Sequence, residues 1–294
     1  MRRAAPALLA ALALGACGGG NDEEASGLLE RGFSTDVRSG YATLDADLEL
    51  EGIEGFEGPL RLRLDGPFEV TGGAPTELPN LDMDFHVSGA GLELSGLVVL
   101  TEANAWVEYG GTAYEVGEEL WARAREAVRE QGEGQPQTFD EAGVDPLDWV
   151  HDAEVEGEER VSGVRATKVS GTLDVEAMLR DSNELAGSGR LPDSALRDVE
   201  DVVGDVGFEA WIGADGIWRR VATEVTFEVP EEERDSVGGL EGGSLALELE
   251  LDRPNELVEF PAPSDPRPID ELLRRLGIPP ELLLGPGFAQ PAPG

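Results

Sequence analysis

The residue with the most pointed chemistry is Cys17, the single cysteine in 294 residues. It follows Leu14-Gly15-Ala16, and ahead of that stand Met1-Arg2-Arg3 and an apolar run from Ala4 to Leu14. Two arginines and about ten apolar residues make the charged and hydrophobic regions of a signal peptide. The run is too short to span a bilayer, which takes roughly 20 residues. Small side chains at Gly15 and Ala16 let a peptidase reach the bond before Cys17. Residues 1–16 therefore read as a leader. Cys17 is a thiol that can make no internal disulfide. The plain alternative is an ordinary secretory signal with an incidental cysteine.

Other reactive groups are sparse. His86 and His151 are the only histidines, and neither has an i+3 or i+4 partner that would pre-form a zinc site. Asp45/Asp47 and Asp82/Asp84 are paired acids of the kind used for calcium or glycoside chemistry. Spaced two apart on strands, however, they share a solvent face. The run Glu231-Glu232-Glu233 reads as a charged loop after Pro230. No G-x-S-x-G elbow, phosphate loop or dinucleotide fingerprint occurs. No catalytic residue, metal or cofactor is expected, and the chain is read as a non-enzyme.

The charge narrows the partners. With 61 acidic against 22 basic residues the formal net charge is −39. Such a field repels phosphate backbones, so nucleic acid is excluded. It also repels anionic headgroups, which leaves a covalent anchor to hold the protein at a membrane. Lys168 is the only lysine. The arginine bias reflects base composition or, for so acidic a surface, salt adaptation.

The elements that must position anything functional are mostly strands. Residues 17–35 read as Cys17 plus a flexible acidic tether, glycine-rich and without apolar periodicity. From about residue 40, apolar and polar residues alternate with period two, as in half-buried strands. Ala42 to Leu50, Leu60 to Leu64 and Leu81 to Val87 show it, as does Leu92 through Gly96 to Leu100. Gly- and Pro-rich joints between them favour an antiparallel meander. A short pair follows, turned at Gly110-Gly111. Glu118 to Gln131 changes to helical spacing, with Leu120, Trp121, Ala124 and Val128 on one face. Asp145 and Asp174 are placed to cap helices, and Pro192 to Val203 is a further helical stretch. Ala214-Asp215-Gly216 is a hairpin turn, and the alternation from Leu245 to Leu251 is another strand. The fold class is α+β: a strongly curved antiparallel sheet of roughly nine or ten strands, an open half-barrel over residues 36–262. Short helices would cover its concave apolar face. Residues 263–294 form a Pro-rich tail with one short helix near Ile269 to Leu276.

Three motifs carry a resemblance. Leu14-Gly15-Ala16-Cys17 resembles the lipobox of bacterial lipoproteins, which implies that Cys17 receives a diacylglycerol and becomes the new N-terminus. The strand pair from Gly157 to Thr167 and the hairpin Trp211-Ile212-Gly213-Ala214-Asp215-Gly216-Ile217-Trp218-Arg219-Arg220 resemble those of the LolA/LolB-like superfamily. Within it, the chain is similar to actinobacterial lipoproteins of the LprG/LppX type, over about residues 36–260. The resemblance implies a monomer anchored at the extracytoplasmic face of a membrane, carrying lipid or acylated cargo between sheet and helices. Candidate cavity residues are Leu48, Leu62, Phe85, Leu94, Trp106, Tyr114, Trp121, Trp149, Met178, Phe208, Trp211, Phe227 and Leu247. Each can equally be ordinary core. The rival readings are a sensor that recognises a protein partner, a structural lipoprotein with a filled core and, last, a hydrolase.

Overall fold

The computed structural model describes residues 21–53, 56, 58–71, 78–132, 144–185, 203, 206–232, 234 and 238–278. The leader, Cys17, most of the 192–203 stretch and the end of the tail lie outside them. Twelve strands form one sheet: β1 (Ser39–Glu51), β2 (Leu60–Glu69), β3 (Asn80–Gly89), β4 (Leu92–Leu100), β5 (Ala105–Tyr109), β6 (Thr112–Glu115), β7 (Val150–Val161), β8 (Val164–Leu173), β9 (Val206–Gly213), β10 (Trp218–Glu228), β11 (Gly242–Asp252) and β12 (Arg267–Pro268). Their order is β12-β6-β5-β4-β3-β2-β1-β11-β10-β9-β8-β7. Every pairing is antiparallel except the short β12–β6 contact. The sheet is open, with β12 and β7 as its edges. The helices are α1 (Asn21–Ser34), α2 (Glu118–Gly132), α3 (Val175–Leu185) and α4 (Ile269–Leu276).

Register gives the sheet two chemically opposite faces, because directly opposed residues point the same way. One cross-strand row reads Val155–Val169–Ala210–Val221–Leu249–Leu44–Leu64–Phe85, from β7 to β3. The next row reads Phe208–Thr223–Leu247–Ala46–Leu62–Val87–Leu94. One residue over, on the other face, stands Lys168–Trp211–Arg220–Glu250–Thr43–Asp65–Asp84. The period-two alternation is thus translated directly into an apolar face and a charged one.

The tether reading is corrected at its centre. Residues 21–34 form a helix, and Ala25 and Leu29 are buried, at 0% and 3% exposure. They join Ala153, Val169, Phe208, Ala210 and Ile212 in one cluster, so α1 lies on the apolar face over β7–β9. Ala25, Leu28, Leu29 and Phe33 recur at helical spacing, a stripe that the surrounding Gly, Asp and Glu obscure. Gly32 permits the close approach: a methyl there would meet the Ile212 side chain at 3.0 Å. At the opposite side of the sheet, α4 buries Ile269, Leu272 and Leu273 against Tyr114, Val107 and Tyr109, on the same face.

Both expected caps are present. Asp145 Oδ1 accepts from the Leu147 amide at 3.0 Å and Pro146 opens a 3-10 turn. Asp174 Oδ1 accepts from the Ala177 amide at 2.8 Å at the start of α3. That amide, aided by His151 3.6 Å away, holds the Asp174 carboxyl below its usual range. The Asp-Gly turn forms between β9 and β10, with Gly216 at φ +75° and Asp215 paired to the buried Arg219 at 2.5 Å.

Because Leu29 fills a buried site between α1 and the sheet, Leu29→Ala should cost about 2–5 kcal/mol. The urea midpoint measures this, and a midpoint shift of only a few tenths of a molar would show that α1 is not docked.

Candidate functional site

Among the described residues, α1 packs over β7–β9 and α4 over β5–β6, with the centre of the apolar face between them. There Leu44, Leu48, Leu60, Leu62, Leu64, Phe85, Leu245, Leu247 and Leu249 are all half-buried, and the row ends on exposed Leu94. This leucine-rich strip crosses β11, β1 and β2 without a charged residue on its own face. Beyond it Phe85 leans across β4, and Gly96 is what lets it: a Cβ there would meet the ring at 2.7 Å and the Glu108 carbonyl at 2.2 Å.

At this border β5 ends. Tyr109 is its last residue and pairs with Gly96, so among the described residues Leu92 to Ser95 have β3 on one side and no strand on the other. An open depression of about 620 Å³ occupies the place, bordered by Phe85, Leu94, Gly96, Tyr109 and Arg275 among others. The Arg275 guanidinium lies over the Tyr109 ring at 5.7 Å.

The sequence candidates divide by face. Leu48, Leu62, Phe85, Leu94, Tyr114, Phe208, Phe227 and Leu247 all belong to the apolar face. Among these Phe208 is covered by α1 and Tyr114 by α4, so neither adds to the free strip. Two candidates are corrected. Trp106 is paired with Val99 and Glu115, on the same face as Asp82. Trp211 stands in the charged row, 4% exposed, and its indole N–H donates to Glu159 Oε2 at 3.0 Å. Lys168 Nζ and the Arg220 guanidinium lie over its ring at 5.1 and 5.2 Å. It is a cation-π post between strands, not a surface for acyl chains. Trp121 donates to the Thr101 carbonyl at 2.8 Å, tying α2 to the loop after β4, and Trp149 donates to Asp181 at 2.7 Å, tying the 3-10 turn to α3. Met178 is half-buried on α3. The sequence candidates include Leu48, Leu62 and Leu247 but not Leu44, Leu60, Leu64, Leu245 and Leu249, which complete the strip; the same period-two spacing places them on this face.

The charged face accounts for the paired acids. Arg61 bonds Asp47 at 2.7 Å, and Arg63 bonds Asp45 at 2.7 Å and Asp65 at 3.1 Å. His86 is half-exposed, 3.5 Å from Glu93. Asp82 is different: partial burial, then the neighbouring Asp84, pushes its carboxyl above the usual range.

Among solved structures the chain is similar to LprF from Mycobacterium bovis, at 14% identity and TM-score 0.44, covering 83% of this chain and 98% of that one. It is also similar to the lipoprotein LppX from Mycobacterium tuberculosis, at 13% identity and TM-score 0.39, covering 82% and 100%. A lipoprotein-sorting protein domain from Vibrio parahaemolyticus matches at 8% identity and TM-score 0.18, covering 81% and 94%. No protein-family model and no curated protein matches the chain. Mycobacterial lipoproteins and a sorting domain are among its structural neighbours. At these scores the likeness adds nothing to the strand register about what is bound. Among the described residues no helix is long and apolar enough to cross a membrane.

A carboxyl whose folded pKa is raised supports the fold below its unfolded pKa and loses that support as pH rises through the folded value. Asp82→Asn should therefore raise the thermal midpoint at pH 7, and its advantage should vanish as pH falls below the ordinary carboxylate range. An equal midpoint at both pH values would show that Asp82 is not strained by burial.

Proposed function

We propose that this protein is a membrane-anchored lipoprotein that binds a lipid or acyl group on the leucine-rich strip, for transport or presentation at the extracytoplasmic face. The observation that supports it is the strip itself, apolar across β11, β1 and β2 and only half-buried between α1 and α4. An acyl chain is the ligand that needs no polar partner. Each methylene removed from water is worth about 0.8 kcal/mol, so ten bury on the order of 8 kcal/mol. The reading assigns the protein no catalysis and no cofactor. Cys17 supplies the anchor by its lipobox spacing. Retention there rests on acyl chains, since the charge of −39 repels anionic headgroups.

A second reading, a binding module for a protein partner, draws on the free side of β4. Among the described residues no strand pairs with that side from Leu92 to Ser95, so its amides and carbonyls can accept an extended strand.

Residues 21–294, purified without detergent from a bacterial host, should yield one lipid per chain on mass spectrometry of the organic extract. The full-length Cys17→Ser variant should leave the membrane fraction. A clean extract, with no protection of an added fluorescent fatty acid, removes the cargo reading. A membrane-bound serine variant removes the anchor.

A further inference from the structure

The direction of α1 decides which end of the sheet an anchor at Cys17 would hold against the membrane. The C-terminal end of α1 is tied down: Thr35 Oγ1 donates to the Gly216 carbonyl at 3.0 Å, and Asn255 Nδ2 donates to the Asp36 carbonyl at 3.1 Å. Gly216 lies in the β9–β10 turn and Asn255 just beyond β11. From there α1 runs back over β9 toward Ala153 and Val150 in the first part of β7, which share its cluster. Fourteen residues at 1.5 Å each put its first turn about 20 Å from the Gly216 end. Only residues 18–20 separate Cys17 from Asn21, and four extended steps reach at most about 14 Å.

Register identifies what shares that end. Val150 pairs with Leu173, and Leu173 with Val206; farther across the sheet Glu228 pairs with Gly242, Glu51 with Gly242, Leu48 with Leu60 and Gly89 with Leu92. The β3–β4 hairpin therefore turns at the anchor end. Its tip is Gly89-Ala90-Gly91, uncharged, and next to it Leu92 and Leu94 are 58% and 39% exposed. Leu94 is also the last member of the apolar row that runs through Leu247 and Leu62. Leu257, the most exposed leucine among the described residues at 99%, follows Glu256, whose carbonyl accepts from Ser39 at the opposite end.

We infer that the β3–β4 hairpin end rests on the lipid surface that carries the anchor, with Leu92 and Leu94 in the headgroup region. This rests on the anchored reading above. The contact brings the open end of the leucine-rich strip to the lipid boundary, so an acyl chain passes between membrane and strip along Leu94 without crossing water. Glu49, Glu51, Glu93 and Glu228 are exposed toward the same end. The surface it fits is consequently zwitterionic, and anionic lipid weakens the contact.

With its own cysteine acylated, the protein offers a unique thiol wherever one is introduced. Leu92→Cys and Leu257→Cys, each carrying a bimane label, are purified as the full lipidated chain and reconstituted into phosphatidylcholine vesicles containing spin-labelled lipid. The 92 label is expected to lose about half its emission, as burial ~5–10 Å into the headgroup boundary requires, while the 257 label keeps its own. Replacing a third of the phosphatidylcholine with phosphatidylglycerol should reduce the quenching at 92. Two results overturn the inference in distinguishable ways. Protein that does not float with the vesicles removes the anchor, and the orientation with it. Protein that floats with 92 quenched no more than 257 removes the orientation alone.

Discussion

An antiparallel sheet whose strands alternate strictly cannot hide its apolar face by itself. Each leucine of β1, β2 and β11 points the same way as its cross-strand partner, so the rows add up instead of cancelling. At about 25 cal/mol per Å² of apolar surface, a face this wide is a large debt to water unless something lies on it. The rest of the architecture follows from how that face is divided. One helix from the start of the described chain covers β7–β9, and one from its end covers β5–β6. The strip between them carries the same residue types and remains half-buried.

The opposite face solves a different problem. It carries much of the acidic excess, and two of its cations are placed where they meet more than one carboxylate. Arg63 joins Asp45 and Asp65, and Arg220 reaches Glu250 at 2.5 Å and Glu248 at 3.6 Å. Most of these pairs are solvated and individually weak. Trp211 is the exception, because burial under Lys168 and Arg220 lets the cations contribute packing as well as charge. A polar, water-facing surface on one side leaves the other side free to specialise in apolar contact.

Much of this is legible in the residues alone. Period-two spacing located the strands, the Asp-Gly pair located the β9–β10 turn, and Asp145 and Asp174 cap as their positions suggest. What escaped did so for physical reasons. In α1 only a few apolar residues make the stripe, and Gly27, Gly32 and the acids between them lower helical propensity; tertiary burial of Ala25 and Leu29 overrides it. Trp211 sits in the run Ala210-Trp211-Ile212, where consecutive apolar residues erase the parity that would have assigned its face. Trp106 is the neighbour of Val107, which belongs to the apolar face, so strand alternation turns its own ring to the other side. For the candidate site, side-chain type misled where strand parity would have served.

The central claim is that the strip across β11, β1 and β2 is where an acyl chain lies. A fatty acid carrying a diazirine in its chain, photolysed on the protein and mapped by peptide mass spectrometry, tests this directly. The account predicts saturable adducts on Leu44, Leu62, Leu64, Leu247 and Leu249, competed by unlabelled fatty acid. Adducts confined to the charged face around Trp211, or labelling that does not saturate, would contradict it.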